Sequence, residues 1–324
     1  MTPSLAKLGH VALNTPNVEK SRWFFREVIG LDETAEIDGT VYLRAWGEFE
    51  HHSLSLTEGP TGIDHFGWRA CRAEDVGAFA EQLRANGTAV EEIEGDTEAG
   101  QGYAIRFVTP SGHPFEIYHE IEHPDAPEEL RSRLKSNVST ARRRGASPRR
   151  LDHINVAARD VPRGQAWLEE QLGFRLREFI SAGSRGMVSA WSAVTSQVHD
   201  LALTRDLQGD DGTIHHFAYL FDSREDVMLG ADVLREAGVP IELGPGMHGI
   251  ARSMFCYLRD PGSNHRVELY AGGYHVFDPD WKAIEWTAAE IEAALIWWGP
   301  EYTPGKGHPF DQTTPCLAGP LSSV

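Results

Sequence analysis

Two imidazoles and one carboxylate recur in this chain at matched places, and together they can hold a metal ion. His153, His216 and Glu268 sit in short runs that are apolar around them: Leu151-Asp152-His153-Ile154, Ile214-His215-His216-Phe217 and Val267-Glu268-Leu269-Tyr270. Such flanks read as strands, in which neighbouring side chains face opposite ways. Two His and a carboxylate on one face leave the other coordination positions of an ion open, the facial arrangement of non-haem Fe(II) oxygenases. Imidazole suits Fe, Mn or Zn, and the carboxylate favours a hard divalent ion. The competing reading is hydrogen-bonded core histidines, since the chain has 15 His, with Glu268 facing outward from an edge strand.

Recurrence favours the metal. Four strand-like segments carry a His third: Leu8-Gly9-His10, Ile63-Asp64-His65, Leu151-Asp152-His153 and Ile214-His215-His216. A helix signal follows each. Asn17 and Asp160 are good N-caps, with Gly30 and Gly173 as stops. Glu74 to Gly87 matches Arg224 to Gly238, and short β-rich segments with turn residues come after every helix. The unit is therefore strand, helix, then several strands, present four times and paired into two halves. His10 and His153 are 143 residues apart, His65 and His216 151, and Glu116 and Glu268 152.

The expected organisation is a first domain over 1–130, a basic linker over 131–150, a second domain over 151–298 and a Gly/Pro-rich tail over 299–324. His215 is expected on the strand face opposite His216. The first half repeats the triad as His10, His65 and Glu116, and His52 echoes His199. However, Arg106 stands where the second half has Tyr257, and no His stands where His248 would fall. The first half thus reads as a non-catalytic duplicate kept for packing, with a second metal left open.

Composition excludes other classes. A formal net charge of -18 argues against nucleic acid. No apolar run approaches the roughly 20 residues of a membrane span, and no signal pattern opens the chain. Three well-separated cysteines, Cys71, Cys256 and Cys316, suit a reducing cytoplasm.

The four-copy pattern resembles the vicinal-oxygen-chelate superfamily. More narrowly it resembles the two-domain type I extradiol dioxygenases, including catechol 2,3-dioxygenases and homoprotocatechuate 2,3-dioxygenases. Leu151-Asp152-His153, Asp160-Val161-Pro162-Arg163-Gly164, Val198-His199-Asp200, His215-His216, Gly244-Pro245-Gly246-Met247-His248-Gly249, Tyr257, Asp260-Pro261-Gly262 and Val267-Glu268-Leu269-Tyr270 carry the resemblance. It implies an α+β fold of four βαβββ modules paired into two domains. It implies His153, His216 and Glu268 as ligands of Fe(II), with Mn(II) possible. His199 would be the acid-base histidine, His248 and Tyr257 would bind the catechol oxygens, and Asn155 and Trp191 would line the pocket. The implied reaction is ring opening of a catechol by O2 to a semialdehyde, in a cytoplasmic homo-oligomer, a tetramer by resemblance. The alternatives are a glyoxalase-like isomerase or transferase, and a metal-free drug-sequestering module. One departure bears on substrate. Homoprotocatechuate dioxygenases carry carboxylate-binding Arg residues where this chain has Leu243 and the run Ala294-Leu295-Ile296. The expected ring substituent is therefore neutral or apolar, with Leu243 in the pocket wall, unless Arg252 or Arg266 takes over.

Overall fold

A computed structural model describes residues 2–140 and 144–317. The first module is β1 (Leu5–Thr15), α1 (Val18–Trp23), β2 (Asp32–Ile37), β3 (Thr40–Arg44) and β4 (Leu54–Glu58). The second is β5 (Gly62–Ala70), α2 (Ala73–Ala85), β6 (Val90–Ile93), β7 (Ala104–Val108) and β8 (Pro114–Tyr118). The third is β9 (Arg150–Ala158), α3 (Val161–Leu172), β10 (Arg175–Ser181), β11 (Met187–Ala193) and β12 (Leu201–Arg205). The fourth is β13 (Thr213–Leu220), α4 (Arg224–Glu236), β14 (Ile241–Met247), β15 (Ser253–Arg259) and β16 (Arg266–Gly272). Beyond these lie β17 (Ile284–Trp286), α5 (Ile291–Leu295) and β18 (Thr314–Pro315). The four βαβββ modules expected from the repeats are present, and the fold is α+β.

Each pair of modules builds one sheet. The order is β2-β3-β4-β1-β5-β8-β7-β6 in the first half and β14-β15-β16-β13-β9-β12-β11-β10-β17 in the second, with β18 beside β13. The first strands of paired modules meet antiparallel at the centre, β1 on β5 and β9 on β13. Helix ends follow the sequence signals. The Asn17 side chain accepts from Lys20 N–H and that of Asp160 from Arg163 N–H, while Gly30 and Gly173 close their helices in the left-handed region. One detail differs from expectation. After Trp23 the first helix widens to a π-helix over Phe24–Ile29, which turns Phe24, Phe25, Val28 and Ile29 all into the core.

The two halves share one apolar core. Trp68 meets Phe174 edge-on at 5.0 Å and Phe25 stacks on Phe217 at 6.1 Å. Full burial of an aromatic of this size stabilises by about 1.5–3 kcal/mol. Two buried histidines latch the halves reciprocally. His113 Nε2 lies 3.0 Å from the Ala157 carbonyl oxygen and 3.2 Å from that of Thr213. His265, at the matching position of the second half, reaches back to the carbonyl oxygens of Asn14, at 3.3 Å, and Gly62.

These latches make stability acid-sensitive. Burial holds both imidazoles down to about 4, against Asp211 near His113 and Asp260 near His265, with Arg259 reinforcing the fall at His265. A depressed folded pKa means the folded state favours the neutral ring. The contribution is therefore complete above the ordinary value near 6.5 and is lost as pH falls from there towards 4. Each latch is worth on the order of 3 kcal/mol across that window. The Tm of the wild type should drop between about pH 6.5 and 4, and His113→Gln should flatten part of that drop. An equal acid shift in the variant would remove His113 from the account.

Candidate active site

The site is a row across neighbouring strands of the second sheet. Tyr257 on β15 pairs with Glu268 on β16, Glu268 with Ala218 on β13, and Ala218 with His153 on β9. His216 lies two residues before Ala218 and so shares its face. Two β-bulges aim the imidazoles. Asp152 is the extra residue of β9 before His153, and His215 the extra residue of β13 before His216. Each bulge residue engages the Nδ1 of the histidine that follows: Asp152 Oδ2 lies 2.9 Å from His153 Nδ1, and His215 Nδ1 lies 2.7 Å from His216 Nδ1. Both Nε2 atoms are thereby turned to Glu268 Oε2, at 3.2 and 3.0 Å. The expectation that His215 faces away from His216 is wrong for the same reason. The bulge breaks the alternation, and His215 stays beside His216 and lines the cavity.

The three side chains fit a metal ion. All are buried, and one ligand atom from each lies within 4.8 Å of the others. Among the described residues Glu268 Oε1 accepts no hydrogen bond of ordinary length, with His248 Nε2 standing 3.7 Å away, although the residue is 1% exposed. A buried carboxylate oxygen left bare is costly unless a cation meets it. Burial opposes ionisation of Glu268, yet His216 and His153 hold its carboxyl well below the usual range.

A cavity of about 680 Å³ opens from this cluster, a size typical of small-molecule sites. His199, in the loop before β12, lines it with its ring 4.1 Å from that of His153. The loop is pinned by buried Asp200, which accepts from the N–H groups of Val194 and Thr195, from Thr195 Oγ1 and from Gln197 Nε2. Burial, then His153, keeps the His199 imidazole neutral by holding its pKa well below the ordinary value. His248 Nε2 lies 3.0 Å from the Tyr257 hydroxyl, and its Nδ1 is anchored on the Leu295 carbonyl oxygen. Burial, reinforced by Glu268, raises the Tyr257 phenol well above its usual range, so it stays an O–H donor. Asn155 and Trp191 both line the cavity.

Leu243 does not. It pairs with Tyr257 across β14 and β15 but packs in a cluster with Phe255, Tyr257 and Phe310, outside the cavity lining. The wall on that side comes from Tyr302 and Phe310 of the C-terminal segment, which no local pattern placed there. Glu178 was also missed. It is 1% exposed and accepts from Ala251 N–H, the Tyr274 hydroxyl and Trp286 Nε1. It thereby fixes the turn after His248, where Ala251 and Arg252 adopt positive φ of 57° and 53°. Arg177 precedes it, so it lacked the apolar flanks that singled out Glu268.

The model of the Glyoxalase/Bleomycin resistance protein/Dioxygenase superfamily matches residues 7–117 and 150–269. The chain is 50% identical over 318 residues, 98% of its length and 100% of the relative's, to a manganese-dependent 2,3-dihydroxybiphenyl 1,2-dioxygenase of Geobacillus genomosp. 3. It is 33% identical to a metapyrocatechase of Geobacillus stearothermophilus, covering 89% of this chain and 87% of the relative. Among solved structures it superposes on the anaerobic substrate complex of homoprotocatechuate 2,3-dioxygenase from Brevibacterium fuscum, with 3,4-dihydroxyphenylacetate, at a TM-score of 0.82 and 31% identity, covering 94% of this chain and 91% of that one. With its four modules, its matched residues and these relatives, the chain belongs to the Glyoxalase/Bleomycin resistance protein/Dioxygenase superfamily, in the two-domain extradiol dioxygenase branch.

Proposed function

We propose that this enzyme opens catechol-type rings by extradiol cleavage with O2, at a divalent ion held by His153, His216 and Glu268. The observation that carries the reading is the convergence of that triad with His199, His248 and Tyr257 on one cavity. A bound ion would supply Lewis acidity to the catechol oxygens and an electron path to O2. The chain's own groups do the rest. Glu268 stays ionised and lowers the net charge of the site. His248 donates from Nδ1 to the Leu295 carbonyl oxygen, so its Nε2 accepts the Tyr257 O–H at 3.0 Å, and a bound catechol oxygen would take over that donor. Neutral His199 can take a proton from the catechol and return it later at the oxygen side of the ring. A glyoxalase-like isomerase or transferase needs a metal triad but not these three groups together. A metal-free sequestering module needs no buried carboxylate with a bare oxygen.

Fe(II) and Mn(II) both accept this donor set. The relative from Geobacillus genomosp. 3, named as manganese-dependent, supports Mn(II) as the resident ion. Protein stripped of metal and reloaded with each ion without air, then mixed with catechol and O2, should give a yellow ring-opened product. No colour with either ion would overturn the reading. Free thiols at Cys71, Cys256 and Cys316 suit a cytoplasmic enzyme. Exposed Phe277, Trp297 and Trp298 leave apolar surface that suits a homo-oligomer, with a tetramer expected. Among the described residues no helix is long and apolar enough to cross a membrane.

The substrate we expect carries a neutral or apolar substituent, such as an alkyl group, chlorine or a second ring. Ile180, Val188, Trp191, Ile250 and Leu295 line the cavity. Arg266 cannot serve a ring acid, because it is fully buried and held by Glu242 at 2.7 and 2.9 Å. Arg252 is not in the cavity lining. Where no lining Arg reaches the substituent bidentately, a carboxylate's desolvation is not offset, which costs about 3 kcal/mol, or on the order of 10²-fold in kcat/KM. In direct competition, 4-methylcatechol should beat homoprotocatechuate by that factor. Equal or better turnover of the acid would sink the idea and point to Arg185 and Arg205, which do line the cavity.

A further inference from the structure

The first half repeats the site with two changes that alter its chemistry. His10, His65 and Glu116 occupy the places of His153, His216 and Glu268, and Arg106 pairs with Glu116 across β7 and β8 as Tyr257 pairs with Glu268. The second change lies outside the strands. Glu98 stands eight residues before Arg106, as His248 stands nine before Tyr257. Its carboxylate does not orient a substrate but joins the cluster. His10 Nε2 lies 3.0 Å from His65 Nε2, and Glu98 Oε2 lies 3.2 and 3.3 Å from these two nitrogens. Glu116 Oε1 is 3.7 and 3.8 Å from them.

These four donor atoms have the spacing of a coordination shell. A tetrahedral ion with bonds of about 2.0–2.1 Å separates its ligands by roughly 3.3–3.4 Å. The observed 3.0 to 3.8 Å brackets that value. All four residues are buried. The same bulge device aims the rings: Asp64 is the extra residue before His65 and lies 2.7 Å from its Nδ1. The His10 ring, 0% exposed, lies against Gly67, where any Cβ would come within 2.1 Å of Cε1. Its Nδ1 has no partner among the described residues, so its Nε2, aimed into the cluster, is its one polar engagement.

We propose that the first half binds a second divalent transition ion, Zn(II), through His10, His65, Glu98 and Glu116, as a closed structural centre that takes no substrate. Closure follows from the ligand count. The catalytic triad has three protein ligands facing a cavity of about 680 Å³, whereas this cluster has four. Structural sites are four-coordinate and closed, while catalytic ones keep a position open. Arg106 covers the remaining side, its guanidinium 3.5 Å from His65 Nε2 and its Nε 2.6 Å from Glu116 Oε2. The rival arrangement has no ion. There a proton on His65 and the Arg106 guanidinium would balance the two carboxylates, with Gln101 Nε2 donating to Glu116 Oε1 at 2.6 Å. Burial opposes that proton, but Glu98 and Glu116 push the imidazole up to about 10.

Metal analysis separates the two. Full-length protein is stripped with chelator, reloaded with excess Zn(II), desalted and counted by mass spectrometry. Two ions per chain are expected in the wild type. One should remain in a His65→Asn/Glu98→Gln double variant, and one in Glu268→Ala. One ion per chain that survives the double variant and disappears in Glu268→Ala would overturn the proposal, as would none in the wild type. One ion that disappears only in the double variant would uphold it and overturn the assignment of the catalytic triad instead. If the double variant does not fold, the wild-type and Glu268→Ala counts still decide.

Discussion

Glu268→Ala should lose the ion of the second half and with it essentially all turnover. The carboxylate is the one anionic ligand of that site, and both imidazoles are turned towards its Oε2, at 3.2 and 3.0 Å. Alanine leaves two neutral nitrogens to hold a divalent charge in a buried place. An ion polarising substrate oxygens contributes several kcal/mol to the transition state, so kcat/KM should fall on the order of 10³-fold or more. His216→Ala should behave the same way. The check is metal content beside turnover, with chelated and reloaded samples compared. If Glu268→Ala keeps the second-half ion at full occupancy, the ligand assignment is wrong.

His199→Ala should separate metal binding from chemistry. The ring stands 4.1 Å from that of His153, yet no contact ties it to Glu268 or His216 as a ligand. The variant should keep the ion and bind catechol, since His248 and Tyr257 are untouched. Turnover should fall by about 10²–10⁴-fold, the usual contribution of a positioned acid-base group. Substrate binding followed without O2 and turnover followed with it give the two readouts. Loss of the ion in this variant would make His199 a ligand and require the triad to be redrawn. A normal rate would remove it from proton transfer.

The triad was legible because it lies on strands, where a repeat keeps residue type and facing together over offsets of 143 to 152 residues. The four modules were legible for the same reason, and the helix ends from Asn17, Asp160, Gly30 and Gly173. What escaped depends on irregular backbone. His215 was placed on the wrong face because a bulge adds one residue and so undoes alternation. Glu98 lies in a loop with no strand period to align it, so its place beside His10 and His65 shows only in the fold. Leu243 was taken for a wall residue because the sequence cannot say that Tyr302 and Phe310 return from the C-terminal segment to form that wall. Glu178 follows Arg177 and so read as a surface residue, and its three donors come from Ala251, Tyr274 and Trp286, at least 73 residues away.

The histidine latches bear on the two sites. Each half offers the other the same donor and accepts at the same two backbone positions, the pattern of a self-complementary dimer joined into one chain. Such a contact uses none of the ligand side chains, because it is made by two turn histidines and main-chain oxygens. Glu98 and Arg106 stand in one copy where His248 and Tyr257 stand in the other, while the joint is the same from both sides. Two halves held by a symmetric contact in one chain therefore need not carry equal sites.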